Sequence, residues 1–340
     1  MNLISHLFCI IKPEACISST LFQSPTSNKK AFIAMHFTKN SVVLLAGVTV
    51  VTALPFDDSK DSVHRLFARG ARYATSCDRK IPNRDITYKE KAQKAFTDAS
   101  QLASTTQDGK DSNGNAFTES TAFSHYFGDG DKDQVKRMNQ VIYNSRLPVD
   151  DNDGGQGYWI DIACGSDQDP NCGTSVLAAT SPKPGESTMV LCDRFFNANT
   201  VQTKQDLDTK KIGTRRGQWC QTGEKFPFFE VAGLTIFHEM THLHDVGQRA
   251  GLTARPDPDG YDSAGTVDVY VKGGDDDRKH YDGMEPWQAA RELKRLWDAY
   301  NADNSQYKPT TPTTENAESY AAAALEFYFL RFCEWDTILP

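Results

Sequence analysis

The stretch TIFHEMTH, residues 235–242, constrains this chain more than any other. It sets His238 and His242 four residues apart with Glu239 between them, directly after the apolar run EVAGLTIF. Positions i and i+4 share one face of a helix, so a helix over 229–246 aims two imidazoles at a single ion. H-E-x-x-H is the spacing of a zinc site in which the histidines are ligands. The glutamate sits beside the metal as general base toward water. Such a site needs a third protein ligand and keeps a fourth position open.

The third ligand separates the ways of completing the site. The continuation H-x-x-G-x-x-H is absent, because Asp245 and Gln248 stand where glycine and histidine are required. No helical E-x-x-x-D lies downstream to supply a glutamate. The downstream segment AGTVDVY offers Asp268 instead; Asp245, near the end of the motif helix, is the other candidate. His244 reads as exposed or as a neighbour of the ligands.

Compartment is legible from the N-terminal third and from the cysteines. Residues 35–53 combine a basic residue at Lys39, an apolar run and small residues at Val51 and Ala53, the layout of a secretory signal peptide cleaved after Ala53. The run is short for a membrane span. Residues 1–34 lack this layout and read as an extension of the gene model upstream of Met35. Eight cysteines are present; two fall in that extension. The remaining six, Cys77, Cys164, Cys172, Cys192, Cys220 and Cys333, suit three disulfides in a secreted chain. The short segment CGSDQDPNC points to Cys164–Cys172 as the local pair. A formal charge of −8 argues against nucleic acid or an anionic membrane as partner.

Along the chain, 54–83 reads as a linker or short pro-segment, followed by a single α+β domain over 84–340. TYKEKAQKAFTDASQLAS puts Ala92, Ala95, Phe96, Ala99, Leu102 and Ala103 on one helical stripe. AFTESTAFSHYFG and KDQVKRMNQVIYNSRL read as further helices; GYWIDIAC and STMVLCDRFF read as strands. PWQAARELKRLWDAY and NAESYAAAALEFYFLRFC are the last two helices, and 251–283 is a long Gly/Asp/Pro-rich loop with a short strand at TVDVYV. DGDKDQ, 129–134, begins like a calcium loop. Gln134 and Gln140 occupy the positions where glycine and a bidentate carboxylate are needed, so its charge reads as solvated.

These residues together resemble the fungal aspzincins, the deuterolysin and lysine-specific metalloendopeptidase group, which pair HExxH with a G-T-x-D aspartate. HYFGDGDKDQVKRMNQV, TMVLCDRFF and TENAESYAAAALEFY are similar to further segments of that family, so the likeness runs over roughly residues 88–332, most closely at TIFHEMTH. The resemblance implies a zincin-like fold, mostly helical with a small twisted sheet. It implies zinc held by His238, His242 and Asp268, with Glu239 as general base. It also implies an oxyanion-stabilising tyrosine. The family's G-T-x-D-x-x-Y-G is altered here: Tyr270 comes one residue early without a glycine after it, and Tyr281 follows an insertion. Tyr281 is the assignment adopted, with Tyr270 the alternative. The expected protein is a secreted, monomeric zinc metalloendopeptidase acting on proteins or peptides through zinc-activated water. A secreted zinc-binding or zinc-sequestering protein with a degenerate site is the alternative.

Overall fold

The computed structural model describes residues 5–9, 16–20, 70–145, 158–165, 172–173, 176–197, 206–207, 220, 225–256, 260–269 and 278–340. Two units divide the chain, Met1–Phe56 and Asp57–Pro340. In the first, β1 (Ser5–Cys9) pairs antiparallel with β2 (Cys16–Thr20). The signal peptide expected over 35–53 lies outside the described residues.

The second unit is α+β, with helices around a small mixed sheet. Its first strand, β3 (Ala71–Tyr73), falls inside the stretch expected to be linker. Residues 70–83 are instead built into the fold: β3 pairs with a later strand, Cys77 is disulfide-bonded, and Ile81 is buried. A three-residue strand is too short to show the alternation from which strands are recognised in sequence.

Helix α1 (Tyr88–Asp108) starts at a capping box. The Glu90 amide donates to the Thr87 hydroxyl (3.1 Å), and the Thr87 amide donates to the Glu90 carboxylate (2.6 Å). The expected stripe from Ala92 to Ala103 is buried. The segment 116–128 forms a 3-10 turn and the single-turn α2 (Thr121–Ser124) rather than a full helix. Its aromatics Phe117, Phe123, Tyr126 and Phe127 are all buried, so tertiary packing holds it. In α3 (Lys132–Asn144) the helix is entered through Asp131, whose carboxylate accepts from the Gly128 amide and the Thr313 hydroxyl. Asp131, read in the sequence as solvated charge, is thus half-buried and bonded within the fold.

The sheet is ordered β3-β4-β6-β5. β4 (Ile160–Cys164) runs parallel to β3 and to β6 (Thr188–Leu191), while β5 (Ala178–Thr180) lies antiparallel at the edge beside β6. The strand expected through STMVLCDRFF stops at Leu191, and Asp193–Phe196 turns into the short α4. There Phe195 and Phe196 enter the core. The cysteines follow the strand order rather than the sequence spacing. Cys164 bonds Cys77, Cys172 bonds Cys192, and Cys220 bonds Cys333. The expected Cys164–Cys172 pair is therefore corrected. Cys77 comes just after β3, the strand beside β4, so it meets Cys164 at the end of β4, while Cys172 meets Cys192 just past β6.

The motif segment forms α5 (Ala232–His242) and α6 (His244–Arg249). After them come the two-residue strands β7 (Arg255–Pro256) and β8 (Asp262–Ser263), the one-turn α7 (Arg278–Tyr281), α8 (Pro286–Ala302) and α9 (Ala317–Cys333). Helix α9 is apolar on all sides and packs against α5, α1, α2 and α8, which is how a central helix reads in sequence. Its most deeply buried charge, Glu326, is satisfied by Arg291, by the Tyr126 hydroxyl and by His125 Nδ1 at 2.8 Å. Where α1 crosses α5, Gly233 is required: a Cβ there would lie 2.6 Å from the Asp98 Cβ and 2.9 Å from the Ala99 nitrogen. Among the described residues no helix is long and apolar enough to cross a membrane.

Candidate metal centre

The helix expected over 229–246 breaks once. Leu243 takes an extended conformation (φ −64°, ψ 128°) and buries its side chain, so α5 ends on His242 and α6 begins on His244. The break frees the last carbonyls of α5, and the segment 264–268 crosses that end. The Thr266 amide donates to the Thr241 carbonyl (3.0 Å), and the two threonine hydroxyls lie 2.7 Å apart. The crossing is tight enough that a Cβ on Gly265 would sit 1.9 Å from the His242 carbonyl oxygen. His244, expected to be exposed or beside the ligands, is buried and accepts the Ala264 amide at Nδ1 (3.1 Å), which anchors the same crossing. On its far side, the Val267 amide donates to the Glu315 carbonyl and the Ala317 amide to the Val267 carbonyl, fixing the segment to the start of α9.

This crossing delivers Asp268 to the two histidines. Its Oδ1 lies 3.1 Å from His238 Nε2 and 3.4 Å from His242 Nε2, and the two Nε2 atoms are 3.1 Å apart. Ligand atoms of the three residues all fall within 4.8 Å of one another. The other ring nitrogens are engaged. His242 Nδ1 lies 2.8 Å from the Thr266 carbonyl, and His238 Nδ1 lies 2.9 Å from the Glu318 carboxylate. A carbonyl or carboxylate oxygen only accepts, so each Nδ1 carries a hydrogen, and in its neutral form each ring turns an Nε2 lone pair toward Asp268. Two lone pairs and a carboxylate oxygen around one point call for a cation between them. His238, His242 and Asp268 can therefore hold a metal ion, with Glu318 and the Thr266 carbonyl orienting the rings.

Without an ion between them, the same groups pair through protons on the rings instead. Burial alone would lower the histidine pKa values; Asp268, joined at His238 by Glu318, outweighs it and raises both. Burial would raise Asp268, yet the facing imidazoles hold it well below the carboxylate range. Glu239, next along the helix, is 8% exposed, and burial pushes its pKa up against the pull of His242 and His238. The Thr180 hydroxyl of β5 donates to its Oε2 at 3.3 Å.

A cavity of about 530 Å³ opens at His238, Glu239 and Asp268. Its apolar wall includes Ala178 of the edge strand, Leu234, and Trp287 stacked on Phe226 at 4.8 Å. Glu230, Glu285 and Glu318 add carboxylates to the lining.

Asp245 is not part of the cluster; its carboxylate accepts from the Ser187 hydroxyl at 2.9 Å. Tyr281 is buried in a second apolar cluster with Ala289, Leu293 and Leu296, against which Val269 packs. Tyr270 lies outside the described residues. Sequence reasoning did not single out Glu318, Thr266 or Thr180. Glu318 left one trace, an acidic side chain in the first turn of a largely apolar helix; a backbone carbonyl and a lone threonine leave none. No protein-family model matches the chain, and no curated protein matches it either.

Proposed function

We propose that this chain is a secreted zinc metalloendopeptidase with a zincin-like fold, of the aspzincin kind that its motifs resemble. The observation that carries the proposal is the meeting of His238, His242 and Asp268 with the buried carboxylate of Glu239 beside them. Zinc suits a His-His-carboxylate set, and when bound it would polarise a scissile carbonyl and lower the pKa of water toward about 7. Glu239 takes the proton from the attacking water and passes it to the leaving amine. Trp287 and Leu234 give the cavity an apolar wall. Among the described residues no strand pairs with the outer edge of β5, which offers backbone hydrogen bonds to a peptide laid beside it as an added strand. Three disulfides fit an extracellular protein.

The burial of Tyr281 in the second apolar cluster favours one alternative, a zinc-binding protein without efficient turnover. One experiment separates the two. The protein beginning at Leu54 is assayed for bound zinc and for cleavage of fluorescein-labelled casein, with and without chelator, beside Glu239→Gln. The peptidase reading expects one zinc per chain in both proteins, cleavage abolished by chelator, and at least about 100-fold slower cleavage by the variant. Equal zinc binding with no cleavage by either protein would sink the peptidase reading and leave the zinc-binding one.

A further inference from the structure

We infer that Thr180 is a positioning residue for Glu239, coupling the edge strand of the sheet to the general base. This rests on the peptidase reading for its catalytic consequence and on geometry alone for the positioning itself. Strand β5 packs against α5, and its residues alternate faces, so Ala178 and Thr180 point the same way. Ala178 lines the cavity, and the Thr180 hydroxyl reaches the Glu239 Oε2 at 3.3 Å. Among the described residues it is the hydrogen-bond donor to that carboxylate.

A glutamate has three side-chain torsions to restrain, and the helical backbone fixes only where the side chain begins. His238 and His242 are fixed through their Nδ1 atoms by Glu318 and the Thr266 carbonyl. Glu239 is tethered from the opposite direction, by the sheet. The tether occupies one carboxylate oxygen and leaves the other for the proton that the base must move. Register in the sheet sets where the tether stands: Thr180 faces Met189 and Ala178 faces Leu191 across the β5–β6 pair, with both Met189 and Leu191 fully buried. A peptide added along the outer edge of β5 would bear on the same strand that holds the base. Strand docking and base alignment then become one event.

The test compares Thr180→Val, which removes the hydroxyl at nearly constant volume, with Thr180→Ser, which keeps it. In the metal-free protein, selectively ¹³C-labelled glutamate carboxylates are observed by NMR, with the Glu239 signal assigned from its loss in Glu239→Gln. The wild type and Thr180→Ser are expected to share one Glu239 shift, and Thr180→Val to move it. In the zinc-loaded protein, Thr180→Val is expected to lose about tenfold in kcat on a fluorogenic peptide, with KM and zinc content unchanged and Thr180→Ser close to wild type. An unmoved Glu239 signal in Thr180→Val, or a Thr180→Ser variant as impaired as Thr180→Val, overturns the inference. If the wild type cleaves nothing, the peptidase reading falls, while the carboxylate signal still decides whether Thr180 holds Glu239.

Discussion

Glu318 places a buried carboxylate against one nitrogen of His238, on the side away from the candidate metal position. An outer partner of this kind fixes the ring and raises its basicity. Glu318→Gln is accordingly expected to weaken zinc binding about 10- to 100-fold, measured by competition with a chromophoric chelator. Asp268→Asn should weaken binding more, because it removes a ligand charge rather than an orienting one. These two residues also mark the limit of what the sequence discloses. His238, Glu239 and His242 are legible because a helix makes neighbours of positions four apart, and Asp268 because it stands in the G-T-x-D setting. Glu318 lies 50 or more residues from all of these, and only the pairing of Val267 with the start of α9 brings it in. Such a contact has no local signature.

Among the elements, the crossing of α5 by residues 264–268 is the most sensitive to substitution. Gly265→Ala would place a Cβ 1.9 Å from the His242 carbonyl, where backbone rather than a flexible side chain must give way. The expected result is a loss of about 2 kcal/mol or more in stability together with weakened zinc binding, read from urea unfolding and metal content. The break at Leu243 that permits this crossing is not visible in TIFHEMTHLHDVG, because the apolar residue that leaves the helix is as buried as one that stays.

Helix α1 carries a second testable feature. Burial pushes the Asp98 carboxyl up from 3.8 to about 6, against the opposing pull of Lys94. A folded pKa above the unfolded one means that the stabilisation belongs to the protonated form. It is complete below about pH 3.8 and lost as pH rises through about 6. Two pKa units correspond to about 3 kcal/mol. Asp98→Asn should therefore be more stable than wild type at pH 7, with the gap closing toward pH 4, in urea midpoints taken across that range.

At the level of the whole molecule, the class is legible in the sequence and the wiring is not. The stripes of α1 and the apolar α9 follow from composition and period. The order β3-β4-β6-β5 and the three disulfides depend on strands of three to five residues finding partners far along the chain. The Cys220–Cys333 bridge spans 113 residues. Replacing both cysteines by serine is expected to cost about 2–5 kcal/mol, seen as a lower urea midpoint with zinc binding retained. The carboxylates of Glu230, Glu285 and Glu318 in one cavity also lead us to expect faster cleavage beside lysine or arginine, with the preference shrinking as salt rises. A fluorogenic peptide series at two ionic strengths checks this.

The parallel pairing of β3 with β4 has a consequence in time. Ala71 meets Ile160 in register across a separation of 89 positions, whereas His238, His242 and Asp268 fall within 31 residues of chain. Loop closure is slower and dearer for the distant pair, so the ligand triad can assemble while the sheet is still incomplete. A refolding chain would then take up its metal first and finish its sheet afterwards. Strand β5 pairs with β6 across at most 13 positions, so of the four strands it is β3 that docks last.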